Sequence, residues 1–187
     1  MRKVIASEFM SLDGIMEAPD QWHFQFFDEA AGKYKFDELF ASDALLLGRV
    51  TYEGFAAAWP SMTDEEGFAD RMNNLPKYVV STTLEEPLEW NNSTLIEWNV
   101  AEEVSRLKQQ PGQDILIYGS GDLVNALMGQ DLIDEYRLMV HPVVVGTGKR
   151  LFREGSDTKA LSLVETKTFG AGVVVLTYQP AGKEVEE

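Results

Sequence analysis

The chain has 187 residues, with 16 basic and 31 acidic side chains, a formal charge of −15 and a hydrophobic share of 44%, as in folded globular domains. A surface this acidic repels nucleic-acid backbones and anionic lipid, and no apolar run reaches the ~18 residues of a bilayer span, so neither nucleic acid nor membrane is an expected partner. The absence of cysteine excludes disulfides, thiolate catalysis and cysteine zinc sites. With His23 and His141 the only histidines, no metal is assigned, carboxylate-held magnesium being the one class left open.

In chain order, Val4 to Met10 reads as a first strand ended by the turn-like Asp13-Gly14. Glu8 and Asp13 interrupt its apolar stretch, so it does not read as a signal peptide, and the cytoplasm is the expected location. Phe24 to Phe40 reads as a helix with Phe24, Phe27, Ala31 and Tyr34 near one face. Ala44 to Leu47 is uniformly apolar, as in a strand covered on both sides, and Thr51 to Trp59 reads as a helix stopped by Pro60. Gly67 to Asn74 is a short helix or structured loop, Lys77 to Ser81 a buried strand, and Ser93 to Glu97 another. An Asn99-capped helix runs through Gln110, Ile115 to Tyr118 forms a strand, and a helix extends from about Asp122 to Met128. Glu135 to Val145, Leu161 to Phe169 and Val173 to Gln179 complete the strands, the last two forming a hairpin through Gly170-Ala171-Gly172.

Strands alternating with helices imply crossover connections and a mainly parallel sheet. The expected fold is an α/β three-layer sandwich in one domain, residues 1–179, with an acidic tail over 180–187.

Ligands of open α/β sheets bind beyond the carboxyl ends of strands, and three such junctions carry suitable chemistry. In Leu47-Gly48-Arg49-Val50-Thr51, Gly48 admits close backbone approach, Thr51 offers a hydroxyl and Arg49 a forked cation at a helix start. The residues serve equally as a glycine turn, a cap and a surface arginine. Tyr118-Gly119-Ser120-Gly121-Asp122-Leu123 suits phosphate oxygens against bare backbone. With Val124 where a third glycine would stand, it is not a Rossmann fingerprint. Ser81 and Thr82 place hydroxyls where a ribose or phosphate would lie, or simply satisfy a turn.

These segments resemble the dihydrofolate-reductase-like superfamily, and most closely the branch related to the C-terminal reductase domain of the bifunctional riboflavin-biosynthesis deaminase-reductase. The resemblance runs from about Val4 to Tyr178. It rests on Met10-Ser11-Leu12-Asp13-Gly14, the Gly48 and Val80-Ser81 segments, Ile117 to Gly121, and Pro142 to Phe152 in that order. It implies a mixed, mainly parallel sheet of about eight or nine strands with NADPH across the strand ends. Gly48, Arg49 and Thr51 would hold cofactor phosphate. Gly119, Ser120 and Gly121, with Asp122 and Leu123, would hold the pyrophosphate. Ser81 and Thr82 would lie near the adenosine ribose, and Gly14 beside the nicotinamide. Thr82 stands where NADPH-demanding relatives carry an arginine, which leaves NADH as the other candidate cofactor, with Arg49 or Lys77 as substitute cations.

The same resemblance implies a proton donor on the first helix after a tryptophan. Trp22 and Asp28 echo that pattern, and helical phase puts Asp28 at the edge of the apolar stripe. Asp13 is a second candidate for catalysis, against the alternative of an ordinary Asp-Gly turn. Leu12, Asp13, Trp22 and Phe26 are the substrate-binding candidates, with His23 beside them, and the aromatics equally suit a core. His141 reads as structural. The implied activity is NAD(P)H-dependent reduction of a small pteridine, pyrimidine-like, carbonyl or imine compound, a riboflavin-pathway uracil reductase being the narrower version. A non-catalytic nucleotide- or pterin-binding module is the rival. Relatives of this kind commonly form homodimers.

Overall fold

Why the central strands read as unbroken apolar runs is plain from the sheet they build. The computed structural model describes residues 1–182. Eight strands, β1 (Val4–Ser11), β2 (Ser42–Gly48), β3 (Lys77–Val80), β4 (Ser93–Ile96), β5 (Asp114–Tyr118), β6 (Glu135–His141), β7 (Leu161–Thr168) and β8 (Val174–Pro180), form one sheet in the order β4-β3-β2-β5-β1-β6-β8-β7. β1 to β6 are mutually parallel, and β8 runs antiparallel to both β6 and β7.

Helices α1 (Glu29–Phe40), α2 (Arg49–Ala58) and α3 (Phe68–Asn74) cover one face, and α4 (Val100–Gln109) and α5 (Gly121–Gly129) the other. Each central strand therefore feeds two cores by alternation. Ala44, Leu46, Ile115 and Ile117 pack towards α4 and α5, while Leu45, Leu47, Leu116 and Tyr118 pack towards α1, α2 and α3. This is the expected sandwich.

Several boundaries differ from the sequence expectation. The first helix starts at Glu29, not Phe24, because Asp28 is extended (φ −103°, ψ 174°) and its side chain accepts from the Ala31 amide. Residues 19–21 and 24–26 are separate 3₁₀ turns, so Phe24 leaves the helical stripe and is 66% exposed. Asn99 precedes α4 in a left-handed conformation (φ 52°) and makes no side-chain cap. β6 stops at His141, one residue before Pro142, which has no N–H for the ladder, and residues 142–152 leave as a loop. Of the expected acidic tail, Pro180 closes β8, and residues 183–187 lie outside the described residues.

Candidate active site

β2 and β5 are parallel neighbours, paired through Leu46 and Ile117, so their carboxyl ends lie side by side. β2 runs directly into α2 at Arg49, and β5 reaches α5 at Gly121 through Gly119 and Ser120. The two junctions touch. The Gly48 amide donates to Ser120 Oγ at 2.6 Å, and a Cβ on Gly119 would lie 2.8 Å from Thr51 Oγ1. Gly119 also has φ +63°, so two constraints demand glycine there. Neither helix start carries a side-chain cap, which leaves first-turn amides and two positive dipole ends facing one region.

The flanking residues are more committed than their types suggest. Arg49 forms an exposed pair with Glu53 at 2.9 Å. Ser81 follows the neighbouring strand β3, and its Oγ accepts the Thr83 and Leu84 amides at 3.1 Å each, leaving Thr82 exposed. Lys77 is no substitute cation for a cofactor phosphate. It lies at the opposite end of β3, fully buried, and its Nζ donates to the carbonyls of Asn73, Leu75 and Asn91. Burial pushes its pKa down to about 8. Asp122 at the start of α5 pairs with Lys149 and Arg153, which brings two cations to that junction, while Leu123 is buried in the core.

Lys149 and Arg153 arrive there because the loop after β6 zips onto the loop after β1. Leu12 donates to the Val143 carbonyl, Met16 to that of Lys149, and Leu151 to that of Gly14, at 2.8–3.1 Å. Asp13 is the clasp. Its carboxylate accepts the Ser11 hydroxyl at 2.6 Å and the Val145 and Gly146 amides at 3.1 and 2.8 Å. The Ser11 hydroxyl and these amides hold its pKa at about 2, so it is ionised at neutral pH. The geometry gives it a loop-tying part. Gly14 takes φ +82° in the same loop, and Leu12 is 63% exposed beside it.

Asp28 is occupied in a similar way, accepting from the Ala31 amide at 2.8 Å and from the Gly170 amide at 3.0 Å. It caps α1 and ties it to the β7–β8 turn. Trp22 is buried and donates from Nε1 to the Glu17 carbonyl at 3.0 Å. Its ring lies 5.3 Å from His141, which also contacts Phe9, His23 and Phe26. These aromatics form a small core at the ends of β1 and β6. Inside it, burial and the neighbouring His141 push the His23 pKa down to about 4. Burial also lowers His141, against its bonds to the Met10 and Met139 carbonyls.

The polar groups that sequence reasoning missed lie on β1 and α1. Ser7, Lys35, Glu38 and Tyr118 form a buried cluster against the β1–β5 pair. Lys35 Nζ donates to Ser7 Oγ at 2.7 Å and pairs with Glu38, whose Oε2 also accepts the Ser7 and Tyr118 hydroxyls at 2.9 and 3.1 Å. Arg137 reaches Glu38 Oε1 at 3.3 Å. Burial alone would raise Glu38, but Lys35 and Arg137 outweigh it and hold the carboxyl below its usual range. On the other face of β1, Glu8 is 2% exposed and its Oε1 has no partner among the described residues. Burial drives its pKa well above the carboxylate range, against the opposing pull of Lys35 and the Gly119 amide. The signal was present in the sequence as a glutamate in a buried strand, and as lysine and glutamate three apart on one helix.

The model of the RibD C-terminal domain family matches residues 2–175. Two uncharacterized proteins of Bacillus subtilis (strain 168) align along nearly their whole length. YyaP is 34% identical over 181 residues, covering 95% of this chain and 94% of its own, and YwjB is 32% identical over 175 residues, covering 92% and 95%. Among solved structures, a Shewanella sp. PV-4 protein with a provisional riboflavin-biosynthesis name superposes with a TM-score of 0.78 at 20% identity, over 96% of this chain and 99% of that one. The Thermotoga maritima diaminohydroxyphosphoribosylaminopyrimidine deaminase/5-amino-6-(5-phosphoribosylamino)uracil reductase gives 0.65 at 14%, over 96% of this chain and 57% of its own. Dihydrofolate reductase from Enterococcus faecalis, complexed with NADP(H), gives 0.63 at 16%, over 95% and 96%.

Proposed function

The chain belongs to the RibD C-terminal domain family, and from that premise we propose that it is an NAD(P)H-dependent reductase of a small heterocyclic, carbonyl or imine compound. One observation carries the reading: the starts of α2 and α5 meet at glycines where a Cβ on Gly119 would strike Thr51, leaving a cradle of bare backbone suited to phosphate oxygens. The likeness to a reductase complexed with NADP(H) supports it.

In this reading the β2–α2 junction (Gly48, Arg49, Thr51) and the β5–α5 junction (Gly119 to Leu123) bind the phosphates, with Ser81 and Thr82 at the adenosine end. Adjacent strands lie ~4.8 Å apart, so a dinucleotide beginning over β3 and crossing β2 and β5 reaches β1 after about 14 Å. Its reactive end then meets Gly14 and the clasped loops. Bound cofactor would supply the hydride. Asp13 positions the loops, Asp28 fixes the start of α1, and the acidic surface leaves anion binding to local amides and to Lys149 and Arg153. Trp22 and Phe26 back the substrate side as packing.

A second reading, a nucleotide- or pterin-binding module without catalysis, draws on one fact: the Asp13 and Asp28 carboxylates are both engaged by backbone amides. Titration of NADPH and NADH against tryptophan fluorescence tests the cofactor assignment. Saturable micromolar binding of either supports it, and binding of neither refutes it. Cofactor oxidation with a panel of pteridines, pyrimidines, carbonyls and imines then separates catalyst from binder.

A further inference from the structure

β7 stands at the end of the sheet with β8 as its single neighbour among the described residues. Every residue from Ser162 to Thr168 is exposed, the apolar Leu163 and Val164 at 54% and 55%. An edge of eight residues, open on both faces, offers its unused amides and carbonyls to another strand.

The hairpin determines which groups are unused. The Phe169 amide donates to the Val173 carbonyl at 2.9 Å, and the same register pairs Lys167 with Val175 and Glu165 with Thr177. Bonded and non-bonded pairs alternate along an antiparallel ladder. Lys167 and Glu165 therefore turn their main chain towards β8, whereas Thr166 and Thr168 turn theirs outward. The Glu165 and Lys167 side chains lie on the α1 face, 3.5 Å apart and about half exposed, with Lys167 Nζ 5.2 Å from the Tyr34 ring centroid. Between Leu163 and Glu165 the register shifts, which ends the regular edge there.

We infer that β7 pairs antiparallel with β7 of a second copy across a two-fold axis at Thr166, joining two sheets into one. In that register each Thr166 exchanges its outward amide and carbonyl with the other copy's Thr166. Glu165 then stands opposite the second copy's Lys167 on both sides of the axis, at non-bonded positions, where facing side chains come closest. An axis at Glu165 or at Lys167 sets like charges directly opposite each other, which is destabilising. An axis at Val164 or Thr168 leaves both charges without an opposite partner. Shifting the pairing by one residue faces unused main-chain groups against used ones. Charges that would turn away a foreign strand thus select one partner and one register.

Sedimentation velocity of the whole protein, from low micromolar to about 100 µM, tests it. The salt is set at about 0.15 M, where a screening length of ~8 Å limits repulsion between two chains of charge −15. The expected result is a reversible dimer of twice 21.0 kDa. Lys167→Glu and Glu165→Lys each weaken association at least tenfold, although one makes the chain more acidic and the other less. Mixing these two variants restores association as a heterodimer, because every glutamate then faces a lysine. The double exchange Glu165→Lys/Lys167→Glu restores the homodimer in the same way. Thr166→Pro removes an amide that β8 does not use, so its thermal melt stays cooperative while its dimer is lost. A monomer across the whole range, a dimer that both charge reversals leave intact, or weakening that mixing does not rescue overturns the inference.

Discussion

Glu8 offers a sharp test of the electrostatics at the centre of the fold. It is 98% buried in an otherwise covered strand, and one carboxyl oxygen has no partner among the described residues. Burial drives its pKa well above the usual range, whereas in the unfolded chain a glutamate titrates near ~4.3. A group whose folded pKa is raised gives its full stability below the unfolded value and loses it as pH climbs towards the folded value. Between those limits the loss amounts to about 1.4 kcal/mol per pH unit for one proton. Glu8→Gln keeps an oxygen for the Gly119 amide and cannot ionise. Its stability relative to the native protein should therefore be flat below about pH 4.3 and rise with that slope above it. For a domain of this size the melting-temperature gap should widen by about 3–6 °C per pH unit. Thermal melts of both proteins at pH 5, 6, 7 and 8 measure it directly, because every other titrating group is common to the pair. A gap that stays constant or narrows across that range would refute the reasoning.

Further expectations follow from the same contacts. Gly119→Ala forces a left-handed alanine, costing about 1–2 kcal/mol, and drives its Cβ onto Thr51, so NADPH affinity measured by tryptophan quenching should fall at least tenfold. His23 is held neutral with a pKa of about 4, below its unfolded value, so its stability is present above about pH 6.5 and drains away towards pH 4. His23→Phe should flatten the acid limb of the melting profile over that window, by at most about 1.4 kcal/mol per pH unit. An unchanged limb would show that His23 is not the group responsible. Asp13→Ala removes the acceptor of the Val145 and Gly146 amides, so their hydrogen exchange should accelerate while amides of β2 and β5 stay protected.

Most of the fold was legible because the central strands obey one rule. A run such as Ala44-Leu45-Leu46-Leu47 has no polar face to turn outward, so it must be covered on both sides, and its alternation between two cores follows. The failures came where one contact decides a boundary. Phe24 and Phe27 suit a helical stripe, yet Asp28 ends the competition by capping at Ala31, and the residues before it turn in 3₁₀ geometry. Val143 to Val145 would extend a strand on propensity alone, but Pro142 interrupts the ladder and Asp13, 132 residues from Val145, claims the amides instead. Local pattern does not contain a partner so far along the chain.

The site divides along the same line. The glycine junctions could be found because bare backbone at a helix start is written in adjacent residues, Gly48 before α2 and Gly119 before α5. Their contact could not, since it depends on β2 and β5 becoming neighbours across 72 positions between Gly48 and Ser120. The candidate catalytic acids show how folding commits a side chain in ways that sequence does not record. Asp13 and Asp28 have the right chemistry in the right part of the chain, yet backbone amides claim both carboxylates, lowering the first to about 2. The carboxyl that burial pushes above its usual range is Glu8, which sequence reading used only as a break in the apolar stretch. What separates Glu8 from Asp13 is burial first and donors second. Asp13 lies at the surface with the Ser11 hydroxyl and the Val145 and Gly146 amides on its carboxylate, whereas Glu8 is enclosed in the sheet with the Gly119 amide bonded to it. In an interior that withholds water, a carboxyl with so few donors is pushed above its usual pKa range.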